Sequence, residues 1–302
     1  MSLPDNYVDR DVAKHFASLI NDAAKTPINI VVQGNDLWKV ITDYDLTSLL
    51  PESVNLLPEQ DFDLHIAGKG FIDKIIAFAQ TDKAIVTIKK EYLNISGTET
   101  TLEKINKNGA DIRIVDDILG SMVAASKKRR NKVIFPITGY EDEALITAAG
   151  LAKAKTVGFR NFFVLNGHQR SAGIAELLAK KDKGLNGFII PLRTGLNTGI
   201  DQFSNLPLTH KKSVVFSGYE PAEIIQSIWM VVSQQTENSP EVVFQRTKEV
   251  SDEVIMRSKW MLEEVFDPAD KVLNNLETIP KGSLKIKEKY KAFDADELLG
   301  DN

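Results

Sequence analysis

Short apolar segments rich in β-branched residues alternate with amphipathic segments along most of this chain. Near-continuous apolar strands separated by helices are typical of parallel sheets that are covered on both faces. We predict strands over residues 28–33, 84–88, 111–115, 132–137, 161–165, 187–191 and 213–217. We predict helices over residues 71–80, 100–107, 118–128, 142–157, 171–180 and 221–235. The pattern therefore predicts an α/β protein.

A chain of 302 residues is long enough for two domains, and a run of four cationic residues at 127–130 marks a boundary between them. Positive charge there complements the C-terminal end of a helix, although a nucleic-acid contact is the alternative interpretation. We predict two wound parallel-sheet lobes facing a central cleft, followed by a helical C-terminal extension. The predicted bounds are 26–130 for the first lobe, with an N-terminal helix in 1–25, 131–235 for the second lobe, and 236–302 for the extension. Within the extension, residues 241–265 have the pattern of one long amphipathic helix.

The chain contains no cysteine and has a formal net charge of −5. The absence of cysteine excludes disulfides, thiolate nucleophiles and iron–sulfur ligation by this chain. The acidic balance argues against a broad nucleic-acid interface. No apolar run reaches the length needed to span a bilayer, and the first residues do not resemble a secretory signal. We therefore expect a cytoplasmic protein with neither a membrane nor a nucleic-acid partner.

Polar side chains follow four of the predicted strands, at the end where wound α/β sheets bind ligands. If these four strands are neighbours, one crevice contains Glu141, His168, Arg193 and Glu220. The candidates for acid–base chemistry are Glu141, His168 and Glu220, and the candidates for binding an anion or another ligand are Gly139, Arg193, Thr194 and Gly218. The structural alternative is that the acids cap helices and that the histidine is an ordinary loop residue.

The segment 61–65 has a different arrangement of candidate ligands. If it is extended, its period of two places Asp61, Asp63 and His65 on one face. Two carboxylates and an imidazole are suitable ligands for a divalent metal ion. A strand with one solvated face is the alternative. No dinucleotide fingerprint, P-loop or nucleophile elbow is present in its proper context.

Two loop segments have distinctive sequences, Gly-Tyr-Glu-Pro at residues 218–221 and Gly-Tyr-Glu at residues 139–141. They resemble the Gly-Phe-Glu-Pro and Gly-Phe-Glu-Thr-Thr segments of the HypD family of hydrogenase maturation proteins. Further similarities lie at residues 49–54, 109–115 and 293–296, in the same order as in the family. The resemblance implies two similar α/β lobes around a cleft and a C-terminal cysteine-rich domain with a [4Fe–4S] cluster. It also implies a small chaperone as partner and the assembly of an iron centre carrying cyanide and carbon monoxide for [NiFe]-hydrogenase.

The chain departs from the family at each position where the family has a metal-binding side chain. Gln33 stands where the resemblance places a cysteine, and Phe62 and His65 stand where it places two more. Arg193 replaces a histidine, and the chain ends about where the cluster domain would begin. We therefore expect no [4Fe–4S] cluster, and we leave open only iron or another divalent metal.

Three hypotheses follow. The first is a non-redox assembly protein, related to [NiFe]-hydrogenase maturation, that binds a maturation-complex partner or a metallo-intermediate in the cleft. The second is an enzyme that reuses the cleft for acid–base chemistry on a small anionic substrate, because Arg193 suits an anion. The third is an inert interaction module. We favour the first hypothesis, under which the chain is not an enzyme.

Overall fold

The computed structural model describes residues 9–59, 69–245, 251–273 and 277–298. Two parallel β-sheets with packed helices confirm the predicted α/β class. The helices are α1 (Arg10–Ala23), α2 (Asn35–Asp43), α3 (Lys69–Ala79), α4 (Leu102–Lys107), α5 (Ile118–Lys127), α6 (Glu141–Val157), α7 (Ser171–Lys181), α8 (Leu192–Thr198), α9 (Asn205–His210), α10 (Pro221–Thr236) and α11 (Asp252–Val265). The strands are β1 (Ile28–Val32), β2 (Val54–Pro58), β3 (Ala84–Ile88), β4 (Ile112–Ile114), β5 (Lys132–Gly139), β6 (Phe162–His168), β7 (Leu185–Pro191), β8 (Ser213–Ser217), β9 (Val242–Phe244), β10 (Phe266–Leu273) and β11 (Glu277–Ile286).

The chain divides into two compact units, and each unit contains two separate chain segments. Unit 1 comprises Met1–Leu64 and Ser171–Ser258, and unit 2 comprises His65–Arg170 and Lys259–Asn302. This division differs from the contiguous lobes 26–130 and 131–235 that the sequence predicts. Strand pairing explains the difference. β5 pairs with β3 across the predicted boundary, and β1 pairs with β7 from much later in the chain.

Unit 1 is built on a five-stranded parallel sheet with the order β2-β1-β7-β8-β9. One face of this sheet packs against α1 and α10, which also contact each other. In α1, Ala13, Ala17 and Ile20 are buried, and their spacing of four and three residues places them on one helical face. They share a core with Ile224 and Ile228 of α10. The amphipathic pattern of the N-terminal segment therefore produces the helix that the sequence predicts there.

Unit 2 is built on a four-stranded parallel sheet with the order β4-β3-β5-β6. Alternate residues of β5 point to opposite faces, as the period of a strand requires. Val133 and Phe135 belong to a core formed with α5 and α6, whereas Ile134 belongs to a second core formed with α3 and α4. The sheet is thus covered by helices on both faces.

The C-terminal region contains strands that the sequence analysis did not predict. β9 joins the edge of the unit 1 sheet, and α11 begins only at Asp252, so the predicted single helix over 241–265 is wrong. β10 and β11 then form an antiparallel hairpin where a helical extension was expected. Pro268 and Pro280 disfavour a helix there, and the alternate residues Leu284 and Ile286 are buried in the unit 2 core.

Within the described residues, no helix is both long enough and apolar enough to cross a membrane.

Candidate functional site

The candidate residues fall into two groups, because the four strands that precede them belong to two sheets. β5 and β6 pair in unit 2, and β7 and β8 pair in unit 1. The condition that all four strands are neighbours in one sheet is therefore not met. We refer to Gly139, Glu141 and His168 as the His168 group, and to Arg193, Thr194, Gly218 and Glu220 as the Arg193 group. The candidate metal ligands Asp61, Asp63 and His65 lie outside the described residues.

His168 is the last residue of β6 and is almost completely buried, with 1% of its surface exposed. Its Nε2 lies 2.9 Å from Thr147 Oγ1, and the Thr147 hydroxyl donates to the Glu143 carbonyl at 3.0 Å. Since that hydroxyl has one proton, it accepts from Nε2–H, which places the proton of a neutral ring on Nε2. Nδ1 is buried and has no hydrogen bond of good geometry to another described residue. The ring also packs edge-on against Phe266, with 5.9 Å between centroids.

Burial lowers the pKa of His168 to about 3, and the nearby Gly139 carbonyl opposes this effect only in part. The imidazole is therefore neutral near pH 7. In this state Nδ1 is a buried lone pair, which is a hydrogen-bond acceptor or a base rather than a cationic group.

The turn that joins β5 to α6 places Glu141 in the first helical turn, where it is buried. Gly139 precedes it with φ +137°, and a Cβ at that position would lie 2.7 Å from Glu143 Cβ. Only glycine fits this conformation without strain. Glu143, two residues after Glu141, forms an ion pair with Lys89 at 2.9 Å. Carboxylates in this first turn also complement the helix dipole, which supports the capping interpretation beside the catalytic one.

Lys89, Tyr92, Thr138 and Thr147 lie next to the His168 group, and the sequence analysis missed all four. The Tyr92 hydroxyl lies 2.6 Å from Thr138 Oγ1 and accepts from Thr138 N at 3.0 Å. Burial raises the pKa of Tyr92 to about 12, so its hydroxyl is protonated. Lys89 could have been identified from the sequence, because it directly follows the predicted strand 84–88.

Arg193 is exposed in the first turn of α8, next to the buried Thr194. Its guanidinium lies over the ring of Tyr219, 5.1 Å from the centroid, and it forms no ion pair with another described residue. A cation held against an aromatic face, with no carboxylate on it, is available to an anion. α8 was not among the helices that the sequence predicts. Gly195 is required by packing, since a Cβ there would lie 2.6 Å from the Phe244 ring.

Glu220 and Gly218 form the start of α10. The Glu220 side chain accepts from the backbone N–H of Glu223, and the Glu223 carboxylate accepts from Glu220 N at 3.0 Å, which is a reciprocal capping box. A side chain at Gly218 would overlap the Glu223 carboxylate. These contacts make Glu220 a helix cap, which is the structural alternative for this residue.

Gln33 occupies the position at the end of β1 where the family resemblance places a cysteine. It is fully buried, and its Nε2 donates to Glu59 Oε1 at 3.1 Å and to the Ser171 carbonyl at 3.3 Å. Its Oε1 accepts from Ser171 Oγ at 2.6 Å. The amide is thus held at both ends by buried polar groups. It cannot supply a thiolate or exchange electrons.

The chain has no thiolate donor for a soft metal centre. No group of three or more His, Asp or Glu side chains is placed to hold a metal ion within the part of the chain that the structure describes. Cysteine thiolates are the usual ligands of a [4Fe–4S] cluster, and the chain has none. The cluster that the resemblance implies therefore does not fit this chain.

Comparisons with known proteins give one family over nearly the whole chain. Residues 11–301 match the family model HypD, described as the hydrogenase formation hypA family. A protein of Methanocaldococcus jannaschii, named for hydrogenase expression and formation, is 28% identical over 96% of this chain and 81% of its own length. The hydrogenase maturation factor HypD2 of Bradyrhizobium diazoefficiens is 25% identical over 98% and 81%. HypD of Escherichia coli is 24% identical over 93% and 76%.

Proposed function

Since the chain belongs to the HypD family of hydrogenase formation proteins, we propose that it acts in hydrogenase maturation as a cysteine-free, non-redox assembly protein. In this role it binds a protein partner of the maturation complex or a metallo-intermediate, and another chain supplies the thiolate ligands. The proposal extends to this chain what the names of its relatives say of them.

The observation that carries the proposal is the family match over residues 11–301 of a chain without cysteine. A match of this length includes the segments of both units. The absence of thiolates removes the groups that would ligate soft iron or pass electrons. The buried hydrogen bonds of Gln33 support the same conclusion, since an amide with satisfied partners stabilises the fold at a position where the family has reactive chemistry.

Arg193 is the side chain that we assign to ligand binding under this proposal. It is exposed, its guanidinium is fixed by the ring of Tyr219, and no described carboxylate neutralises it. A negatively charged metallo-intermediate or an acidic partner side chain would form a charge-assisted hydrogen bond to it. The buried Thr194 beside it holds the start of α8, because its carbonyl accepts from Thr198 Oγ1 at 2.9 Å.

The experiment that tests the proposal is co-purification of the tagged full chain from its own host with hydrogenase maturation proteins, measured by quantitative mass spectrometry. We expect maturation proteins to be enriched with the wild type and depleted with Arg193→Glu. The matched control is Arg257→Glu, which changes another exposed arginine, one paired with Glu253. Equal recovery with Arg193→Glu and with the control would contradict the assignment of Arg193. No enrichment of any maturation protein would contradict the proposed function.

A second candidate function, an enzyme acting on a small anionic substrate, is favoured by the same uncompensated guanidinium. It also requires an acid–base group, and Glu220 is the sequence candidate in the same unit as Arg193. Calorimetric titration with inorganic phosphate tests the anion site directly. Binding that Arg193→Gln abolishes would support an anion site, and the absence of heat with the wild type would argue against it.

A further inference from the structure

The outer face of α5 combines apolar and basic side chains in a way that neither site group uses. Leu119 and Val123 are 45% and 51% exposed, and Lys127 is exposed four residues further on. A spacing of four places the three side chains along one side of the helix. Ile146 on the adjacent helix α6 is also about half exposed, at 52%. This face therefore presents apolar surface that leads into positive charge.

The positive charge continues in residues 127–130, which we call the basic turn. All four side chains are exposed, and none forms an ion pair with another described residue. The helix dipole accounts for cations only within the last turn of a helix, whereas Arg129 and Arg130 lie beyond the end of α5. Arg129 and Arg130 therefore form no ion pair with any other described residue, and the dipole of α5 does not account for them.

The basic turn is held in a defined conformation by Asn161. Its Nδ2 donates to the carbonyls of Ala125, Lys128 and Asn131 at 3.1, 3.2 and 3.0 Å. Asn131 N also donates to the Lys128 carbonyl at 2.9 Å. A preformed charged turn loses less conformational entropy when it binds a partner than a flexible one does.

We propose that this face is a docking surface for an acidic protein segment. The segment places apolar side chains on Leu119 and Val123 and carboxylates on the basic turn. Charge complementarity favours this occupant over a second copy, whose own basic turn would be repelled. A nucleic acid would pair its phosphates with the cations but would leave the apolar residues exposed to water. The net charge of −5 would also repel it. The inference is independent of the proposed function, since no residue of this face belongs to either site group.

Site-specific photo-crosslinking in the host tests the surface on the full chain. A photoreactive phenylalanine replaces Val123, and the control carries it at Lys104, an exposed position on α4. α4 packs in the core on the opposite face of the same sheet, so the control samples the same unit away from the proposed surface. The double variant Arg129→Glu, Arg130→Glu is combined with the Val123 probe, and circular dichroism verifies that it is folded.

We expect an adduct at Val123 whose crosslinked peptide is rich in Asp and Glu, with no such adduct at Lys104. The double charge reversal should lower the yield about ten-fold or more, because it turns attraction into repulsion. The crosslinked segment, made as a synthetic peptide, should bind the wild type more tightly than the double variant by a similar factor. The proposal is overturned by an adduct with nucleic acid or with a second copy, by a yield that survives charge reversal, or by no adduct specific to Val123.

Discussion

At the scale of the residue, the structure separates groups that stabilise the fold from groups that are free to act. Glu220 is committed to a capping box, and Gln33 is committed to a buried hydrogen-bond network. His168 is different, because its Nε2 is held by Thr147 while its Nδ1 has no hydrogen bond of good geometry among the described residues. Arg193 is exposed and carries no ion pair with a described residue. These two side chains are therefore the first targets for mutation.

His168 predicts how stability depends on pH. The folded state does not protonate the ring until about pH 3, whereas an unfolded chain protonates it near 6.5. Between these values protons bind the unfolded state preferentially, so the free energy of unfolding falls as pH is lowered from about 6.5 towards 3. One group contributes a slope of at most about 1.4 kcal/mol per pH unit.

The measurement is urea unfolding of the wild type and of His168→Gln at several pH values. Carboxylates contribute equally to both proteins, so the difference in slope isolates the histidine. We expect a shallower loss of stability below pH 6.5 in the variant. Parallel curves would show that His168 does not titrate as its burial indicates.

We expect substitution of Gln33 to lower the free energy of unfolding. Gln33→Leu leaves the Glu59 carboxylate and the Ser171 hydroxyl without the amide that now bonds them inside unit 1. Loss of such buried partners costs about 1–3 kcal/mol. The control Gln80→Leu changes an exposed glutamine and should alter stability by less than about 0.5 kcal/mol. Equal stabilities of the two variants in denaturant unfolding would contradict the role of the Gln33 network.

At the scale of the element, the strand-to-helix turns carry most of the candidate site. β5 leads into α6 through Gly139, and β8 leads into α10 through Gly218. At both turns, a side chain on the glycine would collide with a glutamate of the following helix. The glycines therefore let the helix start directly at the end of the strand.

Gly139→Ala is expected to destabilise unit 2. The φ of +137° and the 2.7 Å approach to Glu143 Cβ force a backbone or side-chain shift, and strain of this kind costs about 1–3 kcal/mol. Gly70→Ala is the matched control, since no atom of the described residues lies within 4 Å of its Cβ position in α3. Alanine suits a helix, so the control should be neutral or stabilising by up to about 1 kcal/mol. Thermal unfolding distinguishes the two, and a stable Gly139→Ala variant would contradict the account of this turn.

The elements that the sequence predicted well are those whose signal is local. The strands at 84–88 and 213–217 have the predicted bounds because each is a short run with β-branched residues that is buried at every position. β2 was missed because it is half-exposed at most positions and ends in proline, and β9 because it is only three residues long. The predicted helix over 241–265 was wrong for the same reason. A strand of three residues is too short for its alternation of apolar and polar positions to be recognised in the sequence.

The location of the candidate residues at strand ends was predictable from the sequence, whereas their grouping was not. Ligand sites at strand ends are a rule of the fold class, and that rule located His168 and Arg193. Which strands are neighbours depends on contacts distant in sequence, so the division of the candidates between two sheets was not visible. The contact from His168 to Thr147 likewise joins a strand end to a helix 21 residues earlier.

At the scale of the whole molecule, each unit is completed by a segment that is distant in sequence from the rest of that unit. β1 and β2 join β7 and β8 in unit 1, and the β10–β11 hairpin contributes to the unit 2 core. Both units therefore depend on the C-terminal half of the chain. This agrees with a family match that runs over residues 11–301 without division into independent parts.

The role of a chain without a thiol in hydrogenase maturation is tested by measuring hydrogenase activity in the host after deletion of this gene. We predict that deletion removes most of the activity and that the wild-type chain supplied in trans restores it. The variant Arg193→Glu should restore much less, and Arg257→Glu should restore as much as the wild type. Hydrogenase activity that is unchanged by the deletion would contradict the account.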